Sequence, residues 1–300
     1  METATNNYKP AKPRKNMSPW AIARRKFARN KLAMVSLIFL LTVIILSFLA
    51  PFITTADVSK IDIPNKNLPP SSEHWFGTDN AGRDVFTRLL YGGRISLLVG
   101  ISCTLIVTLF GTFIGAVAGY FGGKVDSILM RFTDFILNFP FLIFVVVLNT
   151  ILFGHVDGVG VLIIVISILS WGGFARLVRS KVLAEKENEY ILAAVSIGTH
   201  PAKVIVKHLL PNILSTIIVQ MTIAFAGLIV AESGLSYLGF GVPESTPSWG
   251  NMLKASQKTD VLQNMPWIWA PPGIILVLTI LSINFIGEGI KDALNPKSFR

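Results

Sequence analysis

The segment whose residue types and spacing point most directly to a task is 189–212, EYILAAVSIGTHPAKVIVKHLLPN. Tyr190, Ala193, Ala194 and Ile197 recur at i, i+3, i+4 and i+7, the pattern of an amphipathic helix that opens with Glu189. Gly198 follows where a left-handed residue would end that helix. Thr199 can cap a second helix with Pro201 in its first turn. That second helix carries Lys203, Lys207 and His208, and is expected to stop near Leu210 and Pro211. Two short helices with a sharp turn between them are therefore predicted. The small residues Ala193, Ala194 and Gly198 leave room for a second surface to approach the backbone. That surface is either another protein or the chain's own helical bundle, and the residues alone leave both open.

Catalytic constellations are not evident. The sequence has no GxxxxGK[ST] loop to cradle a nucleotide, no HExxH and no GxSxG. The histidines are His74, His155, His200 and His208, and none has metal-ligand spacing with a cysteine or another histidine. The chain is thus expected to lack catalytic, cofactor and metal sites. Cys103 is the sole cysteine, so it has no partner for a disulfide within the chain.

The elements that must position the 189–212 segment follow from composition. Hydrophobic residues make up 52% of 300, charged residues only 15%, and mean hydropathy is +0.60. A soluble domain carries roughly 25% charged residues. Six segments lack Asp, Glu, Lys and Arg: 32–53, 95–121, 135–153, 159–175, 213–231 and 267–287. About 20 apolar residues suffice to cross a bilayer as a helix. An all-α membrane protein with six transmembrane helices is predicted, the fourth span being the shortest. The first span is too long for a signal peptide, and Pro51 stands where cleavage would fall.

With the N-terminus inside, the inner segments hold 20 of the 27 Lys/Arg and the outer segments 7. The positive-inside rule then places both termini and the 176–212 loop in the cytoplasm. It also explains the net charge of +10 without a nucleic-acid partner. Residues 1–16 are expected to be disordered. Trp20, Ala23, Phe27 and Ala28, flanked by Arg24, Arg25, Lys26 and Arg29, suit either a helix lying on membrane lipid or a plain basic flank. The chain divides into a basic tail 1–31, a first span with a long external loop 32–94, a five-helix core 95–290 containing the cytoplasmic loop, and a tail 291–300.

Within the spans, Gly111, Gly115 and Gly119 are spaced by four and form a helix-packing face, toward either this chain or a partner. Asp134 and Asn138 lie four apart before Pro140, which should kink the third span. They are either an intramembrane polar site or boundary residues, with Arg131 in reach of Asp134. Glu232 and Glu288 also read as boundary residues. Trp75, Trp249, Trp267 and Trp269 lie in or beside the outer loops, the last two as interface anchors.

The 189–212 segment resembles the EAA motif of ABC importer permeases, EAA-x3-G-x9-I-x-L-P. Ala193, Ala194, Gly198, Leu210 and Pro211 fall on it, while Leu192 replaces its Glu and His208 its Ile. HWFGTDNAGRDVFTRLLYGGRISL (74–97), ESGLSYLGFGVPESTPSWGNML (232–253) and FIGEGIKDALNPK (285–297) resemble the dipeptide/oligopeptide/nickel branch of that family, in particular its C-type subunits. The resemblance covers about residues 20–297. It implies a type I importer permease fold and ATP-driven peptide import by alternating access. It implies an ATPase-coupling loop formed by Glu189, Tyr190, Ala193, Ala194, Gly198, Lys203, Lys207, Leu210 and Pro211. It further implies a second permease subunit, two ATPase subunits that hold ATP and Mg, and an external substrate-binding protein, in a prokaryotic cytoplasmic membrane. A nickel-chelate permease, an ion-coupled secondary carrier and a membrane enzyme are the alternatives.

Overall fold

A computed structural model describes residues 19–152 and 158–294, all helix and loop apart from one isolated bridge between Thr78 and Asp84. The expected disordered tail 1–16, His155 and most of the final tail lie outside the described residues.

Helix α1, Pro19–Arg29, is joined by Asn30 to α2, Lys31–Phe48. The Asn30 side chain accepts from Ala33 N at 3.1 Å, so the first span starts at a satisfied N-cap. A short α3, Ala50–Ile53, follows. Helix α4, Val85–Phe121, runs antiparallel to α2 and is 37 residues long. It begins ten residues before the charge-free window predicted at 95. The reason is that its charges are accommodated. Arg88 is buried on Asp79, and Arg94 sits 5.6 Å over the Phe48 ring. Asp84 caps this helix by accepting from Thr87 N at 2.7 Å.

The third predicted span is not one straight helix. Helix α5, Gly123–Asn138, and α6, Phe141–Leu152, are bent by 89° at the intervening Phe139 and Pro140. Proline lacks an amide proton and drives its predecessor out of the helical region, and Phe139 is extended at φ −70, ψ 133. The kink expected at Pro140 is thus a full corner.

The fourth span, expected to be the shortest, is the 28-residue α7, Gly158–Glu185. Its last turns carry Arg176, Arg179 and Lys181 toward the cytoplasmic side. Arg179 meets Asp126 of α5 through two hydrogen bonds of 2.5 Å. Helices α8, Glu189–Ser196, and α9, Pro201–Val204, follow, then α10, Leu210–Leu238. The outer side carries α11, Trp249–Leu253, and α12, Thr259–Asn264, before α13, Pro266–Leu294, returns to the inside. Helix α13 extends into the predicted 291–300 tail. Among the described residues, five helices, plus the bent pair taken as one, are long and apolar enough to span a membrane.

The α4–α7 pair centres the larger buried cluster, with Val107, Ala116, Trp171, Phe174, Ala175, Val178 and Val182 in it. Gly111, Gly115 and Gly119 face α7 within this chain. A Cβ at Gly111 would lie 2.9 Å from Phe174 Cβ, and one at Gly119 would lie 2.9 Å from Val182 Cβ. The glycine face is therefore spent on intrachain packing, not on a partner.

Candidate functional site

The cytoplasmic hairpin forms as the spacing predicts, with a change of face. Gly198 has φ +79. Its amide donates to Val195 O at 2.9 Å, and Thr199 N donates to Ala194 O at 3.1 Å. This is the Schellman pair of bonds, which satisfies the last carbonyls of α8. Among the described residues, no atom outside its chain neighbours lies within 4 Å of a Cβ built on Gly198, so the turn is open on this side. His200, not Thr199, caps α9, its Nδ1 accepting from Ala202 N at 3.3 Å, with Pro201 next. Thr199 is instead consumed as the second donor of the turn.

The buried stripe of α8 is Ile191 and Ala194, not the predicted Tyr190–Ala193–Ala194–Ile197 set. Ala193 is exposed, and so are Tyr190, Leu192, Val195 and Ile197, the last at 83%. A row of apolar side chains on a short cytoplasmic helix is costly unless something covers it, at roughly 25 cal/mol per Å². Leu192 and Val195 belong to this row and escape a rule that assigns the apolar face to the chain's own core.

The hairpin is nevertheless anchored. The Tyr190 hydroxyl donates to Glu185 at the end of α7 and accepts from Asn212 Nδ2 at 2.6 Å. Partial desolvation of its hydroxyl, together with the Glu185 carboxylate, raises the Tyr190 phenol above its ordinary pKa. Glu189 stands exposed in the first turn of α8, where a carboxylate complements the helix dipole. Lys203 and Lys207 are exposed, while Val204 and Leu209 insert into the main core.

Pro211 does not end the second helix. Residues Ile205–Leu209 form a π turn in which Leu210 N donates to Ile205 O, and α10 continues from Leu210. The wider turn accommodates the missing amide of Pro211. Pro201–Leu238 thus runs for 38 residues from the cytoplasmic turn to the outer side.

Asp134 pairs with Arg176 of α7 instead of Arg131, and both side chains are about half exposed. Asn138 Nδ2 donates to Asp134 O at 2.7 Å within its own helix. The two residues are therefore a helix-to-helix tie with a local bond, not an isolated polar site.

On the outer side, the GTDNAGRD stretch folds around Asp79. Its Oδ1 accepts from Ala81 N at 2.8 Å and Arg83 N at 3.0 Å, and its Oδ2 from Arg83 Nε at 2.8 Å. Arg88 Nε stands 3.5 Å from the same oxygen. Gly77 and Gly82 take positive φ where Leu68 and Asp62 backbone atoms leave no room for a side chain. Both arginines also reach Glu244 O across the 239–248 loop. Asp79, Arg83, Arg88, Glu244, Asn251 and Lys254 line a cavity of about 270 Å³ there. Lys254, bonded to Glu244 at 2.7 Å, holds that carboxyl below its usual range. Trp249 is buried, and its Nε1 donates to Leu89 O at 3.1 Å.

Glu232 departs most from the sequence reading. It is fully buried at 0% exposure, not at a wet boundary. Ser96 Oγ of α4 and Ser233 Oγ donate to its Oε2 at 2.9 and 3.1 Å, and Ser236 Oγ donates to Oε1 at 2.8 Å. Glu288, by contrast, is exposed.

Comparison with known proteins bears on these features. Residues 111–300 match the family described as binding-protein-dependent transport system inner membrane component, and residues 18–70 match the N-terminal TM domain of oligopeptide transport permease C. The dipeptide transport system permease protein DppC of Bacillus subtilis is 43% identical over 92% of this chain and 85% of its own. The oligopeptide transport system permease protein OppC of the same organism is 39% identical over 95% of this chain and 92% of its own. OppC of Haemophilus influenzae is 41% identical over 93% and 89%. A chain of the MetNI methionine ABC transporter in an inward-facing conformation superposes with a TM-score of 0.58 at 19% identity, covering 69% of this chain and 96% of that one. It shows the same type I importer permease fold. The 300-residue chain is a multi-pass membrane protein that belongs to the binding-protein-dependent transport system inner membrane component family.

Proposed function

We propose that this chain is one of two permease subunits of an ATP-driven peptide importer in the cytoplasmic membrane of a prokaryote. Family membership and the relatives' dipeptide and oligopeptide substrates support the reading. The single structural observation that carries it is the cytoplasmic hairpin, whose exposed Leu192, Val195 and Ile197 surround an open Gly198 turn. Such a surface suits a protein that seats on it from the cytoplasm.

In this reading two ATPase subunits hold ATP and Mg, and one docks on α8 and the α8–α9 turn. A second, similar permease completes the pathway, and an external binding protein delivers peptide. ATP binding closes the ATPase pair. The hairpin moves with it, and α7 and α10, fixed to the hairpin by Glu185, Tyr190 and Asn212, shift between inward- and outward-open states. The chain itself performs no chemistry.

The test is reconstitution of the whole assembly in vesicles with labelled peptide. ATP-dependent accumulation of dipeptides or oligopeptides is expected. Uptake of a nickel chelate without peptide uptake, or peptide uptake driven by an ion gradient without ATP, would overturn the reading.

A further inference from the structure

We propose that Glu232 is a positioning residue for transport, fastening the outer segment 239–253 to the far end of the helix that rises from the cytoplasmic hairpin. The proposal rests on the transport function above.

Glu232 is buried with no ion pair among the described residues, so its partners are hydroxyls. Two of those serines face the outer segment at the same time. Ser96 Oγ accepts from Trp249 N at 3.2 Å, and Ser236 Oγ accepts from Val242 N at 3.1 Å. A hydroxyl has one proton to give and lone pairs to receive with. Each of these serines receives an amide from the outer segment and gives its own proton to Glu232. The carboxylate thereby fixes the orientation of both hydroxyls, and they hold the segment at two points. A half-satisfied buried network is costly, so removing the common acceptor loosens both points together.

Close packing surrounds the network. A Cβ at Gly241 would lie 2.5 Å from Ser236 Cα, and one at Gly250 would lie 2.6 Å from Ser233 Cα. The segment therefore lies backbone-to-backbone on the outer turns of α10. Within it, the Ser248–Asn251 capping box and the bond from Asn251 Nδ2 to Thr246 O at 2.7 Å give a stiff unit. That unit supplies Glu244, Asn251 and Met252 to the outer cavity.

The opposite end of the same continuous helix begins at Pro201, two residues past the Schellman turn. From Val204 to Glu232 the axis spans about 40 Å at 1.5 Å per residue. One helix thus carries the coupling hairpin at one end and the clamped outer segment at the other. Displacement of the hairpin is passed to the outer cavity only while the clamp holds.

The experiment uses the complete assembly in native membranes, with Glu232→Ala and Glu232→Gln compared to the parent. Three quantities are read: abundance of the assembled complex, ATP hydrolysis with and without peptide-loaded binding protein, and backbone hydrogen exchange. In Glu232→Ala, exchange across 240–252 is expected to rise about tenfold, the size of effect that loss of a buried hydrogen-bond network gives. Exchange across 189–204 and basal hydrolysis are expected to stay at the parent's level, while stimulation by loaded binding protein falls about tenfold. Glu232→Gln, which keeps an acceptor oxygen, should recover part of both. Unchanged exchange at 240–252, or stimulation equal to the parent's, overturns the proposal. Should Glu232→Ala fail to assemble, Ser236→Ala removes the link to Val242 together with one of the three hydroxyls on Glu232, and leaves Ser96 and Ser233 in place. Faster exchange around Val242 is expected there, and unchanged exchange overturns the clamp. Failure of the transport reading looks different, because the parent assembly would itself show no stimulation by peptide.

Discussion

The two ends of α10 treat their surroundings in opposite ways. At the cytoplasmic end, the hairpin leaves Leu192, Val195 and Ile197 exposed, and no described atom beyond the chain neighbours lies within 4 Å of a Cβ on Gly198. At the outer end, Glu232, Asp79 and Asn251 have their polar atoms engaged, and Gly241 and Gly250 are pressed against α10. The outer end closes on the chain itself. In the proposed function, the inner end is completed by another molecule. Where a segment satisfies itself, substitutions act through folding. Where it waits for a partner, they act through assembly and coupling.

The largest effect that would break this comparison is sought at the open turn. Gly198→Asp puts a charged side chain into the proposed docking surface at a left-handed residue, at an intrinsic folding cost of only about 1 kcal/mol. Uptake is expected to fall to background while the protein still inserts in the membrane at the parent's level. Peptide uptake equal to the parent's would remove the docking role.

The next effect belongs to the self-packed interior. Gly115→Val would push a branched side chain into α7 at Ala175 and Val178. A cost of about 1–3 kcal/mol and reduced protein abundance are expected. Gly173→Ala, inside α7 with no described atom within 4 Å, should keep or raise stability, by up to about 1 kcal/mol. Thermal melting of the two detergent-solubilised variants checks the contrast.

A loss of similar size, confined to the outer side, is expected from Asp79→Asn. The carboxylate meets both Arg83 and Arg88, and its removal leaves two mostly buried guanidinium groups short of a counter-charge. About 2 kcal/mol of local stability should be lost, read as faster proteolytic nicking between 54 and 84 in right-side-out vesicles than in the parent. The smallest effect is at Asp134. Its pair with Arg176 is about half exposed on both sides, so solvent screening leaves at most about 0.5 kcal/mol. Asp134→Asn should leave uptake within about twofold of the parent, in line with that small loss. A large drop at equal abundance would make the carboxylate part of the pathway.

The spans were legible because the chain must satisfy its backbone internally in lipid, and apolar windows mark where. Their ends were not. Arg88 and Arg94 interrupt the window but find Asp79 and the Phe48 ring, so α4 continues through them. Pro140 announced a break, and the residue before it set the corner. Gly198 announced the turn, because a glycine after a helical run commonly takes the left-handed conformation that ends the helix. The face of α8 was not legible, since periodicity shows that an apolar face exists but not what covers it. Glu232 was illegible for a different reason. Its partner Ser96 lies 136 positions away, and a serine carries no signal that it will meet a carboxylate.

The most direct test of the central claim is amine cross-linking of the intact assembly, purified in mild detergent and read by mass spectrometry. Lys203 is exposed beside the open turn, and Lys258 is exposed on the outer side. The account predicts that Lys203 links to an ATP-binding chain that co-purifies with a second permease, and that Lys258 never does. An intact preparation containing this chain alone, with Lys203 linked only within it or to its own copies, would contradict the account.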